Sequence, residues 1–107
     1  MAFVAACDVR FDIFVNVAAG AIDGSSLAAR LQLDQSTVSR YLNELRALRA
    51  VAPTRTGRRI LYSLGPAADA KFHDGGGMDV SIRSDDSFVS RWTISPEQLA
   101  RILKSNR

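Results

Sequence analysis

Short hydrogen-bonding side chains and an arginine are concentrated in one stretch near the middle of the chain. Val38, Leu42 and Leu45 recur at the spacing of one helical face, which leaves the polar side chains between them on the other faces. These polar candidates are Gln35, Ser36, Thr37, Ser39, Arg40 and Asn43. Hydroxyl, amide and guanidinium groups on the first turns of a helix can bond to base edges and phosphates in the major groove of DNA. The stretch therefore has the chemistry of a recognition helix.

The residues before this stretch predict a second, shorter helix. Residues 26–31 form that helix in our interpretation, with residues 23–25 as its linker and cap. Residues 32–34 make a turn, and Asp34 can cap the recognition helix, which we predict to run from about Gln35 to Ala50. A helix, a short turn and a polar-fronted helix are typical of a helix-turn-helix.

A hairpin is predicted directly after the recognition helix. Residues 51–55 and 60–64 indicate two short strands, joined by residues 56–59 with Gly57 in the tight turn. Arg55, Arg58 and Arg59 lie in this hairpin. Arginine can bind phosphate with two parallel hydrogen bonds, or enter a narrow minor groove. These three residues therefore join the candidate DNA contacts.

Residues from about Asp8 to Leu64 resemble a winged-helix repressor and are most similar to the ArsR/SmtB family. The resemblance rests on residues 27–31, on residues 33–42, and on Leu45 and Leu48. It implies an α+β winged helix-turn-helix fold, with the hairpin as the wing. It also implies a regulator of transcription that binds double-stranded DNA and acts as a repressor. A homodimer is expected on other grounds, the small core of so short a chain and the wide apolar arc of its first helix.

The chain departs from that family where the family senses metals. Many ArsR-like sensors carry paired cysteines just before and at the start of the second helix, where this chain has Asp23 and Ser25. The alternative family site needs Asp and His pairs on the last helix, but His73 is the sole histidine here. Zinc normally requires three or four ligands. We therefore expect no metal and no cofactor.

Positive charge is concentrated on the segment proposed to contact DNA. The net charge is +3, and residues 40–65 contain six arginines against Glu44 alone. Residues 66–107 contain six basic and six acidic side chains. Charge alone would also fit a solvated basic face, but its coincidence with the helix-turn-helix favours DNA contact.

The cysteine content and the hydropathy suggest a cytoplasmic protein. Cys7 is the sole cysteine, so no internal disulfide can form, as is usual in a reducing cytosol. The apolar residues before Cys7 are too few for a signal peptide, and we expect an ordinary N-terminus. No apolar run approaches the roughly 20 residues of a membrane span. We therefore expect no membrane partner.

A first helix is predicted from Asp8 to about Ala19, with Gly20 as its stop. Its apolar arc is wider than the roughly 100° that a one-sided surface helix needs. Packing under the helix-turn-helix would use one side of the helix. Phe11 and Val15 then remain for a dimer partner or for the C-terminal segment, and the sequence leaves both alternatives open.

The C-terminal part differs from the long dimerisation helix of ArsR-like repressors, so that dimer is not transferred to this chain. We divide the chain into residues 1–65, the DNA-binding domain, and residues 66–107, an extension packed on the first part or on a partner subunit. Residues 67–72 suggest a short helical turn, and residues 75–77 are a glycine break. Residues 78–82 alternate as a strand does, residues 83–87 suggest a loop, and Phe88, Ser90, Trp92 and Ile94 share one face of another strand. Ser95, Pro96 and Gln98 predict a capped helix start, giving a β-β-α unit.

No catalytic constellation is evident in the sequence. The serines and threonines have no histidine base beside them, and residues 75–77 lack the lysine of a phosphate-binding loop. Asp85 and Asp86 fit a solvated turn better than an acid–base pair. We expect a sequence-specific DNA-binding regulator and no enzyme. The rival interpretation is a winged-helix interaction module that docks a protein through its C-terminal unit.

Overall fold

Four helices and two small antiparallel sheets make up residues 8–84 and 89–103, the residues that this computed structural model describes. The elements are α1 (Asp8–Ala19), β1 (Ile22–Asp23), α2 (Gly24–Leu31), α3 (Gln35–Ala47), β2 (Val51–Thr56), β3 (Arg59–Leu64), β4 (Ala68–Phe72), β5 (Met78–Arg83), β6 (Val89–Ile94) and α4 (Pro96–Leu103). This α+β architecture agrees with the fold class expected from the sequence. Within these residues, no helix combines the length and the apolar character needed to cross a membrane.

The helix-turn-helix is formed by α2 and α3. The carboxylate of Asp23 caps α2 by accepting hydrogen bonds from the Ser26 backbone N–H at 3.3 Å and from its hydroxyl at 2.6 Å. Because of this cap, α2 begins at Gly24 rather than at the predicted Ser26. The chain then reverses at Gln32, which adopts a left-handed conformation with φ of 57°.

The two ends of α3 differ in detail from the sequence prediction. Asp34 occupies the N-cap position, but its side chain makes no capping hydrogen bond. The helix ends at Ala47 and not at Ala50. Arg49 takes a left-handed φ of 64°, and the N–H of Ala50 bonds to the carbonyl of Leu45 at 2.9 Å. This closure terminates the helix and turns the chain into β2.

The wing is a two-residue hairpin in a three-stranded sheet of order β1-β3-β2. The strands pair from Val51 with Leu64 to Thr56 with Arg59, so the turn is shorter than the predicted residues 56–59. Gly57 has φ of 63°, a conformation that costs glycine little. The short strand β1 was not predicted, because residues 22–23 carry no strand pattern of their own.

The C-terminal unit contains one strand more than expected. The prediction of a helical turn at residues 67–72 is wrong, since these residues contain β4, which pairs with β5 from Ala68–Ile82 to Phe72–Met78. Pairing with β5 overrides the weak local helix preference of this alanine-rich segment. The second sheet has the order β4-β5-β6, and the unit is β-β-β-α. Phe88 lies outside the described residues.

The predicted start of the last helix is confirmed. The Gln98 N–H donates to the Ser95 hydroxyl at 3.1 Å, and the Gln98 side chain accepts from the Ser95 N–H at 3.0 Å. This reciprocal pair is a capping box.

The C-terminal unit covers the second side of α1. Val15 is fully buried, and the rings of Phe11 and Trp92 meet edge to face with centroids 5.6 Å apart. A single apolar cluster joins α1 to both parts of the chain, and includes Phe14, Leu27, Leu42, Leu45, Met78, Val80, Ile94 and Leu99. The C-terminal unit therefore covers most of the apolar arc of α1 within one chain, and the arc is no argument for a dimer.

Candidate nucleic-acid interface

The predicted contact residues of the recognition helix lie on the solvent side of α3. Val38, Leu42 and Leu45 are buried and fix the helix to the core. The candidates Gln35, Ser36, Ser39, Arg40 and Asn43 are exposed, and Thr37 is half-buried. Because three of them are consecutive, they do not form a single row but spread over the broad side of the helix that faces away from the core. The structure thus places five of the six candidates in solvent and Thr37 partly so, on the side of α3 away from the core.

Tyr41 packs against Arg40, the arginine among these candidates. The guanidinium carbon of Arg40 lies 4.6 Å from the centroid of the Tyr41 ring, close enough for a cation–π contact. The guanidinium of Arg10, from α1, lies 5.2 Å from the same ring. Stacking on Tyr41 restricts the conformations of Arg40 before any ligand arrives.

Arg10 of α1 also contacts the recognition helix, at Tyr41 and Glu44. The sequence did not reveal this role, because Arg10 there only interrupts the apolar pattern of α1. Its guanidinium lies 2.8 Å from the carboxylate of Glu44. The Arg10 side chain is 13% exposed and that of Glu44 is 34% exposed. Glu44 is the acidic residue of α3, so this ion pair offsets the negative charge on the recognition helix.

Arg55, Arg58 and Arg59 are all exposed on the wing, as predicted. Within residues 8–84 and 89–103, Arg55 and Arg58 enter no ion pair. Arg59 differs, because its guanidinium donates to the Asp23 carboxylate at 2.8 Å. Arg59 thereby connects the base of the wing to the cap of α2.

The hydrogen bond from Ser26 and the contact with Arg59 also lower the pKa of Asp23. Hydrogen bonds from the Ser26 hydroxyl, and next from Arg59, lower the pKa of Asp23 from 3.8 to about 2. The carboxylate is therefore ionised at neutral pH, when it holds both the helix cap and the wing.

The positions that carry metal ligands in ArsR-like sensors have other roles or surroundings here. The Asp23 carboxylate caps α2 and pairs with Arg59 of the wing. Ser25 is an exposed residue of α2. His73 lies 3.0 Å from Asp79 on the surface. Hydrogen bonds from Thr93 and His73 lower the pKa of Asp79. In the part of the chain that the structure describes, which excludes Cys7, no three His, Cys, Asp or Glu residues are grouped so that they could hold a metal.

Comparisons with known proteins bear on the fold. The sequence matches no protein-family model and no curated protein. Among solved structures, reduced HlyU from Vibrio cholerae N16961 is similar, with 26% sequence identity and a TM-score of 0.55. The match covers 58% of this chain and 65% of the HlyU chain. HlyU is a winged-helix regulator of the ArsR/SmtB family. The helix-turn-helix, the wing and this similarity together show that the chain has a winged-helix fold.

Proposed function

We propose that this protein is a sequence-specific regulator of transcription that binds double-stranded DNA and acts as a repressor. The observation that carries the proposal is the polar face of α3, which is exposed while its opposite face is buried in the core. The similarity to HlyU supports it, because HlyU is a regulator with this fold.

The two elements have different roles in this proposal. Ser36, Thr37 and Arg40 on α3 read base edges in the major groove, with Gln35, Ser39 and Asn43 beside them. Arg55 and Arg58 bind the backbone or the minor groove and supply attraction that is common to all sequences. Arg59 keeps part of its guanidinium available, since its side chain is 66% exposed despite the bond to Asp23.

We also propose that two copies of the chain bind one operator. A single recognition helix reads only a few base pairs, and two-fold dimers extend the site to half-sites about 34 Å apart. Sedimentation of the protein with and without an operator duplex tests this proposal. A single copy on every bound duplex at tens of micromolar protein would contradict it.

A salt titration of point variants tests the division of roles. Cognate duplexes are first selected from a random pool, and each variant is then measured on cognate and unrelated DNA. Arg40→Ala should lose about 1–3 kcal/mol on cognate DNA and less on unrelated DNA. Arg58→Ala should weaken binding to all duplexes alike and lower the salt slope by about one.

Arg91→Ala is the matched control, because Arg91 is an exposed arginine in the C-terminal sheet. It should bind like the parent protein. If Arg40→Ala binds every duplex as the parent does, α3 is not the reading element. If the unmutated protein binds no duplex even at low salt, DNA is not the partner. The protein-interaction module then becomes the better interpretation.

A further inference from the structure

A pocket of about 600 Å³ lies between α1, the turn from α2 to α3, β6 and α4. Its walls include the half-buried apolar residues Phe11, Leu31, Leu33, Trp92 and Ile102. Sites for small molecules typically have volumes of about 300–1,000 Å³, apolar walls and a few polar groups. None of the proposed DNA contacts lines this pocket. The proposed DNA binding therefore does not account for this pocket.

The apolar wall contains a pair of aromatic rings. Phe11 and Trp92 meet edge to face, with an angle of 60° between their planes. Leu31 and Leu33 line the same pocket from the helix-turn-helix. An aromatic ring packs favourably against such rings and aliphatic side chains. The wall thus fits a flat apolar body.

The side of the pocket formed by α4 carries a positive charge and a hydrogen-bond donor. Gln98 and Arg101 stand one helical turn apart and are exposed at the edge of the pocket. Arg101 enters no ion pair with the residues that the structure describes. Gln98 uses its side-chain oxygen to cap Ser95, which leaves its amide nitrogen as a donor. Asp12, on α1, also borders the pocket, so an anionic ligand has to direct its charge towards α4.

We propose that this pocket binds a small aromatic carboxylate. The ring lies against Phe11 and Trp92, and the carboxylate lies against the Arg101 guanidinium. A guanidinium can donate two parallel hydrogen bonds to a carboxylate, which adds geometric specificity as well as energy. The Gln98 amide nitrogen donates to the same carboxylate.

The ligand would contact the helix-turn-helix directly. Leu31 and Leu33 flank Gln32, the left-handed residue that turns α2 into α3. Any ligand that favours one arrangement of this turn changes DNA affinity, and DNA changes ligand affinity by the same factor. This link to DNA depends on the proposed function, but the binding of the carboxylate does not and is tested without DNA.

Trp92 is the sole tryptophan, so its fluorescence reports on the pocket wall. The full chain is titrated with phenylpropionate and, separately, with its uncharged amide, phenylpropanamide. Calorimetry gives the two affinities. We expect both ligands to change Trp92 emission and the carboxylate to bind about tenfold more tightly. Arg101→Gln should abolish that difference and leave the affinity for the amide unchanged.

Arg91→Gln is the control, since Arg91 is exposed on the same sheet and does not line this pocket. It should preserve the tenfold preference, and circular dichroism should show both variants folded. The proposal is overturned if neither compound binds at millimolar concentration, if the acid and the amide bind equally, or if both variants lose the preference alike. DNA binding by the protein is measured in a separate assay. The conclusions about the carboxylate hold whether or not the protein binds DNA.

Discussion

The guanidinium of Arg59 lies 2.8 Å from the carboxylate of Asp23, so the wing is tied to the residue that caps α2. Asp23 also belongs to β1, where it pairs with Leu61 of β3. One side chain thus joins the first helix of the helix-turn-helix to the hairpin beside it. The predictions for Asp23 follow from these contacts.

Asp23→Ala should lower the free energy of unfolding by about 1 kcal/mol, mainly through loss of the N-cap. The exposed ion pair with Arg59 adds little, since such pairs contribute about 0–1 kcal/mol. Asp34→Ala is the matched control, because Asp34 occupies the N-cap position of α3 without a capping bond. Urea unfolding of both variants measures the difference. Equal losses would show that the Asp23 cap contributes no more than an uncapped position.

Acid should remove the contribution of Asp23 over a defined pH window. Its pKa is lowered from 3.8 to about 2 in the folded protein, so the unfolded chain binds the proton first as the pH falls. The stabilisation is therefore complete above about pH 4 and disappears as the pH falls towards 2. Asp23→Asn should flatten that part of the pH dependence, because asparagine can cap but cannot titrate. Urea unfolding between pH 5 and pH 2 tests this, and an unchanged acid slope in the variant contradicts it.

Asn16→Ala should destabilise the fold by about 1–3 kcal/mol, because it leaves buried polar groups unpaired. Asn16 is 1% exposed. Its amide donates to the carbonyls of Asp12 at 2.8 Å and Ile102 at 3.0 Å, and its oxygen accepts from Arg30 at 3.0 Å. The exposed Asn43 provides the control, and Asn43→Ala should change stability by less than about 0.5 kcal/mol. A small loss in the Asn16 variant would mean that water replaces these bonds.

Gly65→Ala should cost about 1–3 kcal/mol, because the added methyl group has no space. Gly65 is buried between β3 and β4, and its N–H bonds to the Ala50 carbonyl at 2.9 Å. A Cβ atom there would overlap the Arg49 carbonyl oxygen, which is backbone and cannot rotate away. At Gly75 a Cβ meets nothing within 4 Å, so Gly75→Ala is the control. Similar unfolding midpoints for the two variants would show that the junction between β3 and β4 adjusts freely.

Local signals in the sequence determined the helix-turn-helix, the wing and the start of α4. The spacing of Val38, Leu42 and Leu45 identifies the buried face of α3, whatever lies on the other side. Gly57 permits the hairpin turn, and Ser95 caps α4 through Gln98, three residues away. Each of these signals depends on residues within about two helical turns of each other in the sequence. The candidate contact residues of α3 follow from the same periodicity, and their binding to DNA remains a prediction.

Contacts between residues far apart in the sequence decided the rest. The bond from Arg59 to Asp23 spans 36 residues, and that from Asn16 to Ile102 spans 86. Similarly, residues 68–72 become a strand only because β5 offers an edge, and α1 is covered on its second side because Trp92 reaches Phe11. Hydrophobic periodicity shows that a face must be buried but not which partner buries it. That choice belongs to the tertiary structure, because it depends on which distant segments the chain topology brings together.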